Sequence, residues 1–304
     1  LADLERVDQI IVERVQPRLA VLRIAGQHIL TSGGKRIRAA LTLLAAQLGR
    51  YDLERVLHSA AAVELIHAAS LVHDDIEDND LTRYGKDTIH ARHGIPLALN
   101  TGDYLLGEGY RIISESALPP EIIVEAARII AHGHRSLSIG QGAELASIRL
   151  QEILSHEAML GLFENKTAAA FRVSLLLGAV VGGATTADLK VLEQFSRAIG
   201  IAYQVKDDLA DYSGEKGDIE VRKFSIILSL LAGHLAPAEK QLLLSARSPE
   251  DFSVIYGLID AYNIPQQARE ILLGYISEAE TCLAELTNLG LKLALHEILG
   301  KIFK

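Results

Sequence analysis

Apolar residues recur at three- and four-residue spacing along almost the whole chain, the period of a helix buried along one side. The pattern predicts helices over residues 39–48, 53–78, 95–114, 120–140, 156–182 and 186–211, and the last seventy residues add further helical character. No segment alternates apolar and polar positions for long enough to predict a sheet strand. Turn chemistry separates the runs: Ser32-Gly33-Gly34, Ala117-Leu118-Pro119-Pro120, Gly182-Gly183 and Ser213-Gly214. Thr186 is placed to cap the helix that follows the glycine pair. Several runs are apolar on more than one face, which requires helices in the centre of a bundle. No low-complexity linker divides the chain, so the expectation is one all-α domain over residues 1–304.

Composition narrows the function classes. Hydrophobic residues make up 49% and charged residues 23%, too apolar for disorder, and 7 prolines with no tryptophan suit long helices. The lone Cys282 excludes an intramolecular disulfide framework and any Cys-rich zinc or iron–sulfur site, and a reducing cytoplasm fits it best. The net charge of −9 without a Lys/Arg block argues against a nucleic-acid partner. The most apolar stretches, 173–181 and 224–233, fall short of the roughly 20 residues of a spanning helix and read as buried core helices. No signal peptide is visible; the chain opens on Leu1 rather than Met, so a missing start or a trimmed leader stays open.

The one internal echo is chemical. Asp74-Asp75-Ile76-Glu77-Asp78 and Asp207-Asp208-Leu209-Ala210-Asp211 both spell D-D-x-x-D, each at the C-terminal end of a long apolar helix. On a helix the first and fifth residues lie one turn apart on one face, so their carboxylates repel and raise each other's pKa unless a cation bridges them. Carboxylates with no cysteine among them suit a hard ion, and Mg²⁺ completes its shell with water and phosphate oxygens. One such motif reads as well as a solvated acidic helix end; two on long apolar helices point to a metal–diphosphate site.

Basic residues accompany the acidic ones. Gly33-Gly34-Lys35-Arg36-Ile37-Arg38 places a glycine pair before a helix start, with Lys35 and Arg38 one turn apart, which suits an anion or an ordinary helix start. Arg83 follows the first motif closely enough to fold back over it. Lys166-Thr167 opens an apolar run and Lys223 precedes another, settings in which a lysine binds an anion or snorkels to the surface. His67, nearly two turns before Asp74, is either a ligand or a satisfied core histidine, and Gln204 shares the face of Asp207.

Here the chain resembles the trans-type isoprenyl diphosphate synthases, through the string from Ala61 to Asp75 (A-A-V-E-L-I-H-A-A-S-L-V-H-D-D), Gly33 to Arg38, Lys166-Thr167, Tyr203-Gln204-Val205-Lys206-Asp207-Asp208 and Lys223-Phe224-Ser225, in the family's order. The resemblance covers roughly residues 33–230. It implies an isoprenoid-synthase helical bundle with a central cavity and a two-substrate site between the two acidic helices. Asp74, Asp78, Asp207 and Asp211 would hold Mg²⁺, three ions in all, on the diphosphate of an allylic substrate, supported by Asp75 and Asp208. Arg83, Lys166 and Lys223 would neutralise that diphosphate. Lys35, Arg38 and His67 would hold isopentenyl diphosphate, and Thr167 and Gln204 would line the reacting carbons. A homodimer is also implied. Ala69 and Ser70, small residues five and four before Asp74, stand where bulky aromatics would stop chain growth, and imply geranylgeranyl diphosphate or a longer product. Gly107 and Gly109 on a later helix either open further room or let helices pack closely.

Two departures qualify the resemblance. After the first motif the family carries R-R-G-x-P-T, and this chain has Arg83-Tyr84-Gly85-Lys86-Asp87-Thr88. Losing the second arginine removes a charge-assisted clamp of about 1.5–3 kcal/mol from the isopentenyl diphosphate site, unless Lys86 replaces it. The segment from Asp211 to Asp218 is short, and Arg222 stands where a glycine is usual, which bears on closure over the substrates. An enzyme that transfers a prenyl group to a different acceptor, or a terpene synthase-like lyase, therefore stays open. A non-catalytic regulatory subunit would be expected to lose one acidic motif, and both are present.

Overall fold

The computed structural model describes residues 2–17, 19–31, 33, 36–49, 52–212 and 225–303. Lys35, Arg222 and Lys223, three of the basic residues singled out above, lie outside them. The described chain is all-α apart from one two-rung hairpin. The helices are α1 (Ala2–Arg14), α2 (Ala20–Thr31), α3 (Ile37–Ala45, continued by a 3₁₀ turn, Ala46–Leu48), α4 (Leu53–Glu77), α5 (Ile89–His93), α6 (Ile95–Ser114), α7 (Pro120–Leu150), α8 (His156–Phe163), α9 (Ala169–Gly182) and α10 (Thr186–Tyr212). They continue as α11 (Ile226–His234), α12 (Pro237–Ser245), α13 (Pro249–Ala261), α14 (Ile264–Glu285) and α15 (Leu289–Ile302). Between α8 and α9 the backbone passes through a π-helical turn, Glu164–Ala168. The hairpin pairs β1 (Thr82–Arg83) with β2 (Lys86–Asp87) in antiparallel register, Thr82 opposite Asp87 and Arg83 opposite Lys86.

The helices form two compact units, residues 1–131 with 173–189 and residues 132–172 with 190–304. In the first, α4 is the central helix. Six consecutive residues, Ala60 to Leu65, are buried, so no face of that stretch meets water. Small side chains make this possible: α6 approaches so closely that a Cβ on Gly109 would lie 2.5 Å from Ile66 Cγ1, and one on Gly102 would lie 2.3 Å from His73 Nε2. Gly109 thus serves close packing rather than extra room, whereas a Cβ on Gly107 would meet nothing within 4 Å. Helix α4 is also long and apolar enough to cross a membrane, but 67% of its most apolar window is buried inside the protein. The second unit is built around α11, where every residue from Ile226 to Ala232 is buried, against Met159, Phe163, Ile201, Val205, Ile255 and Ile259.

Helix ends follow side-chain chemistry. Asp52 accepts from Glu54 N–H at the start of α4, Ser155 from Ala158 N–H at α8, and Asn288 from Leu291 N–H at α15. The cap of α10 is Thr185, one residue before the threonine expected: its hydroxyl and N–H both donate to Asp188 Oδ2, and Asp188 N–H returns to Thr185 Oγ1 at 3.2 Å. Helix α7 continues past Gly140, its expected end, to Leu150.

Glycines also let α9 sit against α3. A Cβ on Gly178 would lie 2.1 Å from the Thr42 carbonyl oxygen, and one on Gly182, a turn later, 2.2 Å from that of Ala46. Gly178→Ala is therefore expected to destabilise the protein by about 1–3 kcal/mol in denaturant unfolding. Gly274→Ala, on an exposed position of α14 with nothing within 4 Å of the new Cβ, should instead stabilise it by about 0.5–1 kcal/mol.

Candidate active site

Helix α4 delivers the first aspartate motif. Asp74 and Asp75 occupy its last turn, and Asp78 is the C-cap, its N–H on the Asp74 carbonyl at 2.8 Å. A helix carbonyl end already carries partial negative charge, so three carboxylates there demand cations. The three are placed differently. Asp75 is 1% exposed and accepts Arg83 Nε on Oδ1 at 2.5 Å, while its buried Oδ2 has no hydrogen-bond partner. Burial pushes its carboxyl above the usual carboxylate range, and the Arg83 guanidinium pulls the other way. Asp74 is half-buried and Asp78 exposed. The middle aspartate braces Arg83, and the outer two stand where an ion can reach them.

The hairpin turns through Tyr84 at φ 52° and Gly85 at φ 75°, both in the left-handed region that a tight hairpin requires. Its far strand is tied to the end of α2: Lys86 Nζ donates to the Thr31 carbonyl at 2.8 Å, and His28 Nε2 to the Asp87 carbonyl at 2.7 Å. Lys86, the candidate replacement for the missing arginine, is thus bound to the carbonyl end of a helix. The Tyr84 ring lies against Gly33, where a Cβ would come within 3.3 Å of it.

The turn into α3 is held by Arg36 and by Glu64, two side chains to which the spacing of the motifs assigns no role. Arg36 is the N-cap, in left-handed conformation at φ 50°. Its guanidinium reaches Asp8 Oδ1 on α1 at 2.7 Å, the Leu30 carbonyl on α2 at 3.1 Å and Glu64 Oε2 on α4 at 3.3 Å. The buried Glu64 carboxylate also accepts Ala39 N–H, in the first turn of α3, at 3.0 Å. His67 lies one turn further along α4. Burial, followed by Arg38, Arg83 and Arg36, pushes its pKa well below the usual histidine value, so the imidazole is neutral and sits in a positive field. Arg38, His67 and Arg83 are thus brought together, as an anion site requires. Ala69 is buried in the core, and Ser70 turns its hydroxyl back to the His67 carbonyl at 2.8 Å.

In the second unit, Lys166 and Thr167 lie on the π-helical turn, a backbone irregularity frequent at functional sites. Two glycines receive the widened backbone: a Cβ on Gly200 would lie 2.3 Å from Ala168 Cα, and one on Gly140 would lie 2.7 Å from Lys166 Cγ. Lys166 Nζ is ion-paired with Glu144 on α7. Thr167 Oγ1 donates to Gln204 Oε1 at 3.0 Å, Gln204 Nε2 donates to Asp208 Oδ1 at 3.2 Å, and Asp208 Oδ2 accepts Ile226 N–H at 2.7 Å. Asp208 is buried and held by the N-terminus of α11, the counterpart of Asp75, while Asp207 is half-buried and Asp211 exposed. Burial, reinforced by the neighbouring Asp211, pushes the Asp207 carboxyl up to about 6. The adjacent Lys206 works against this shift while donating to the Ile302 carbonyl at the end of α15.

The outer carboxylates of each motif offer only oxygen ligands, which fits Mg²⁺. Among the described residues no three His, Cys, Asp or Glu side chains converge on one metal position. Such a donor set leaves the rest of an ion's shell to water and phosphate oxygens.

Known proteins decide between the open alternatives. Residues 20–255 match the polyprenyl synthetase family model. The chain belongs to the polyprenyl synthetase family. It is 30% identical to geranylgeranyl diphosphate synthase of Sulfolobus acidocaldarius over 86% of this chain and 85% of that one. It superposes on the crystal structure of geranylgeranyl pyrophosphate synthetase from Pyrococcus horikoshii with a TM-score of 0.91 and 28% identity, covering 99% and 95% of the two chains. It is likewise similar to a polyprenyl synthase from Caulobacter crescentus complexed with calcium and isoprenyl diphosphate (TM-score 0.84, 27% identity, 99% and 94% covered). This polyprenyl synthetase is a prenyltransferase by family, and neither a different acceptor nor a lyase reaction is favoured.

The raised pKa of Asp207 makes a stability prediction. A carboxyl whose folded-state pKa exceeds its unfolded value opposes folding once ionised, fully above about pH 6 and not at all below its unfolded pKa. Asp207→Asn should raise the melting temperature of the metal-free protein at pH 8, with the gain vanishing as pH falls to about 4.

Proposed function

We propose that the protein is a Mg²⁺-dependent trans-prenyltransferase that joins isopentenyl diphosphate head to tail to an allylic diphosphate, with geranylgeranyl diphosphate as the product and longer polyprenyl diphosphates as its alternative. The supporting observation is the shared construction of the two aspartate motifs, each with a braced middle carboxylate and an outer pair one turn apart. Asp74 and Asp78, and Asp207 and Asp211, are the Mg²⁺ ligands in this proposal, with Asp75 and Asp208 orienting them. Bound Mg²⁺ supplies Lewis acidity and charge neutralisation to the departing diphosphate.

The chain's own groups do the rest. Arg83, Lys166 and Lys223 neutralise the allylic diphosphate, and binding requires Lys166 to exchange Glu144 for phosphate oxygens. Lys35, Arg38 and the neutral His67 hold isopentenyl diphosphate, the imidazole donating one N–H without adding charge. As the allylic C1–O bond breaks, the alkene of isopentenyl diphosphate attacks C1, and the proton lost from its C2 passes to the released diphosphate. The Thr167–Gln204 pair presents a fixed, uncharged polar edge to the reacting carbons. Ala69 and Ser70 leave the space below the first motif to the growing chain.

The same proposal has one synthase domain acting as a homodimer in the cytoplasm. Support for a second copy comes from Ile95 and Leu99, one turn apart on α6 and 56% and 51% exposed. Leu99→Arg should shift the species seen by light scattering from dimer to monomer.

The direct test incubates the protein with Mg²⁺, labelled isopentenyl diphosphate and dimethylallyl, geranyl or farnesyl diphosphate in turn, and sizes the dephosphorylated products. Label is expected in geranylgeraniol or longer alcohols. Primer consumption without incorporation of label would refute the assignment.

A further inference from the structure

Glu64 is a buried carboxylate that the proposed chemistry does not use, with only 5% of its surface exposed. An isolated carboxylate in such a place is strongly unfavourable, so it persists only where partners hold it in one geometry. Its partners both belong to the turn into α3. Oε1 accepts the Ala39 N–H, one of the four amides that a helix start leaves without an intrahelical acceptor. Oε2 meets the Arg36 guanidinium, which also binds Asp8 and the Leu30 carbonyl. Arg36 has a positive φ and no side-chain cap of its own on α3, so Glu64 supplies the cap from another helix. The same α4 continues through His67 and reaches Asp74 ten residues on, about 15 Å along a helix rising 1.5 Å per residue. The turn that precedes Arg38 and the first aspartate motif are therefore fastened to one rigid rod.

We propose that the Glu64–Arg36 pair is a positioning device for the isopentenyl diphosphate subsite, fixing the first turn of α3, and with it Arg38, at a set distance along α4 from His67 and Asp74. The pair touches no substrate. The proposal rests on the assignment of Arg38 and His67 to that subsite. It predicts an effect on one substrate and not on the other, which a general packing role would not produce.

The test compares wild type with Glu64→Gln, Glu64→Ala and Arg36→Lys. Glu64→Gln keeps an oxygen for the Ala39 N–H but removes the charge facing Arg36, and it carries the test if Glu64→Ala fails to fold. Glu64→Ala should raise KM for isopentenyl diphosphate about tenfold, and Glu64→Gln and Arg36→Lys about threefold, with KM for the allylic diphosphate within about twofold of wild type. A proportional rise in both KM values would overturn the proposal, as would a lower melting temperature with both KM values unchanged. A second readout does not need turnover: calorimetric titration with inorganic diphosphate in the absence of Mg²⁺, where the uncompensated carboxylates repel the anion and the basic turn retains it. Binding should weaken several-fold in Glu64→Gln, and equal affinities in wild type and variant would overturn the positioning role. A wild-type enzyme that ignores isopentenyl diphosphate would instead refute the proposed function, leaving the calorimetric comparison to decide the pair.

Discussion

Two long helices, α4 and α10, each end in a cluster of aspartates at the carbonyl end, where the helix already concentrates negative charge. That conflict organises each cluster. Within each cluster the middle carboxylate is drawn into the protein, Asp75 onto Arg83 and Asp208 onto the N-terminus of α11. A guanidinium and a helix amide end are the two natural counterweights to a buried carboxylate, and the chain uses one at each motif. The outer carboxylates are left in more open positions, and the raised pKa of Asp207 registers the cost first of its partial burial and then of the neighbouring Asp211. In the proposed function a divalent ion and phosphate oxygens complete the arrangement.

The backbone around these groups is stiffened by means that differ between the units. In the first, α4 acts as a rod carrying Glu64, His67 and the aspartates, and the small residues Ala60 to Ala62, with Gly109 facing Ala62 and Ile66 and Gly102 facing His73 from α6, let it run through the core. In the second, the π-helical turn widens the helix by one residue at Glu164–Ala168, and Gly140 and Gly200 make the space for it. Glu164 at the start of that turn is held by Arg197, which also meets Glu278 and stacks 5.7 Å from the Tyr275 ring. Lys166 and Thr167 consequently leave the helix at an angle that a regular α-helix would not give them.

Much of this was legible in the residues. Helix α6 begins and ends where its periodicity says, at Ile95 and Ser114, and the apolar runs that precede the two D-D-x-x-D motifs place both aspartate clusters at helix ends. What stayed hidden has physical reasons. A π turn changes the backbone hydrogen-bond register without disturbing the apolar pattern enough to be seen, so 156–182 read as one regular helix. Gly140 read as a helix end, yet its missing Cβ accommodates Lys166 and α7 continues beyond it. Glu64 sits in an apolar run and its partners lie 25 and 28 residues away, a distance over which spacing carries no information. Lys86 matched a missing charge by proximity in sequence, but the hairpin turns it to Thr31.

In the proposed function these carboxylates bind diphosphate through a divalent ion rather than repel it. Thermal denaturation with Mg²⁺ alone, inorganic diphosphate alone, and the two together separates the two cases, because only a ligand of the folded state raises the melting temperature. The two together should raise it by several degrees more than the sum of their separate effects. Stabilisation by diphosphate alone equal to that with Mg²⁺ present would contradict it.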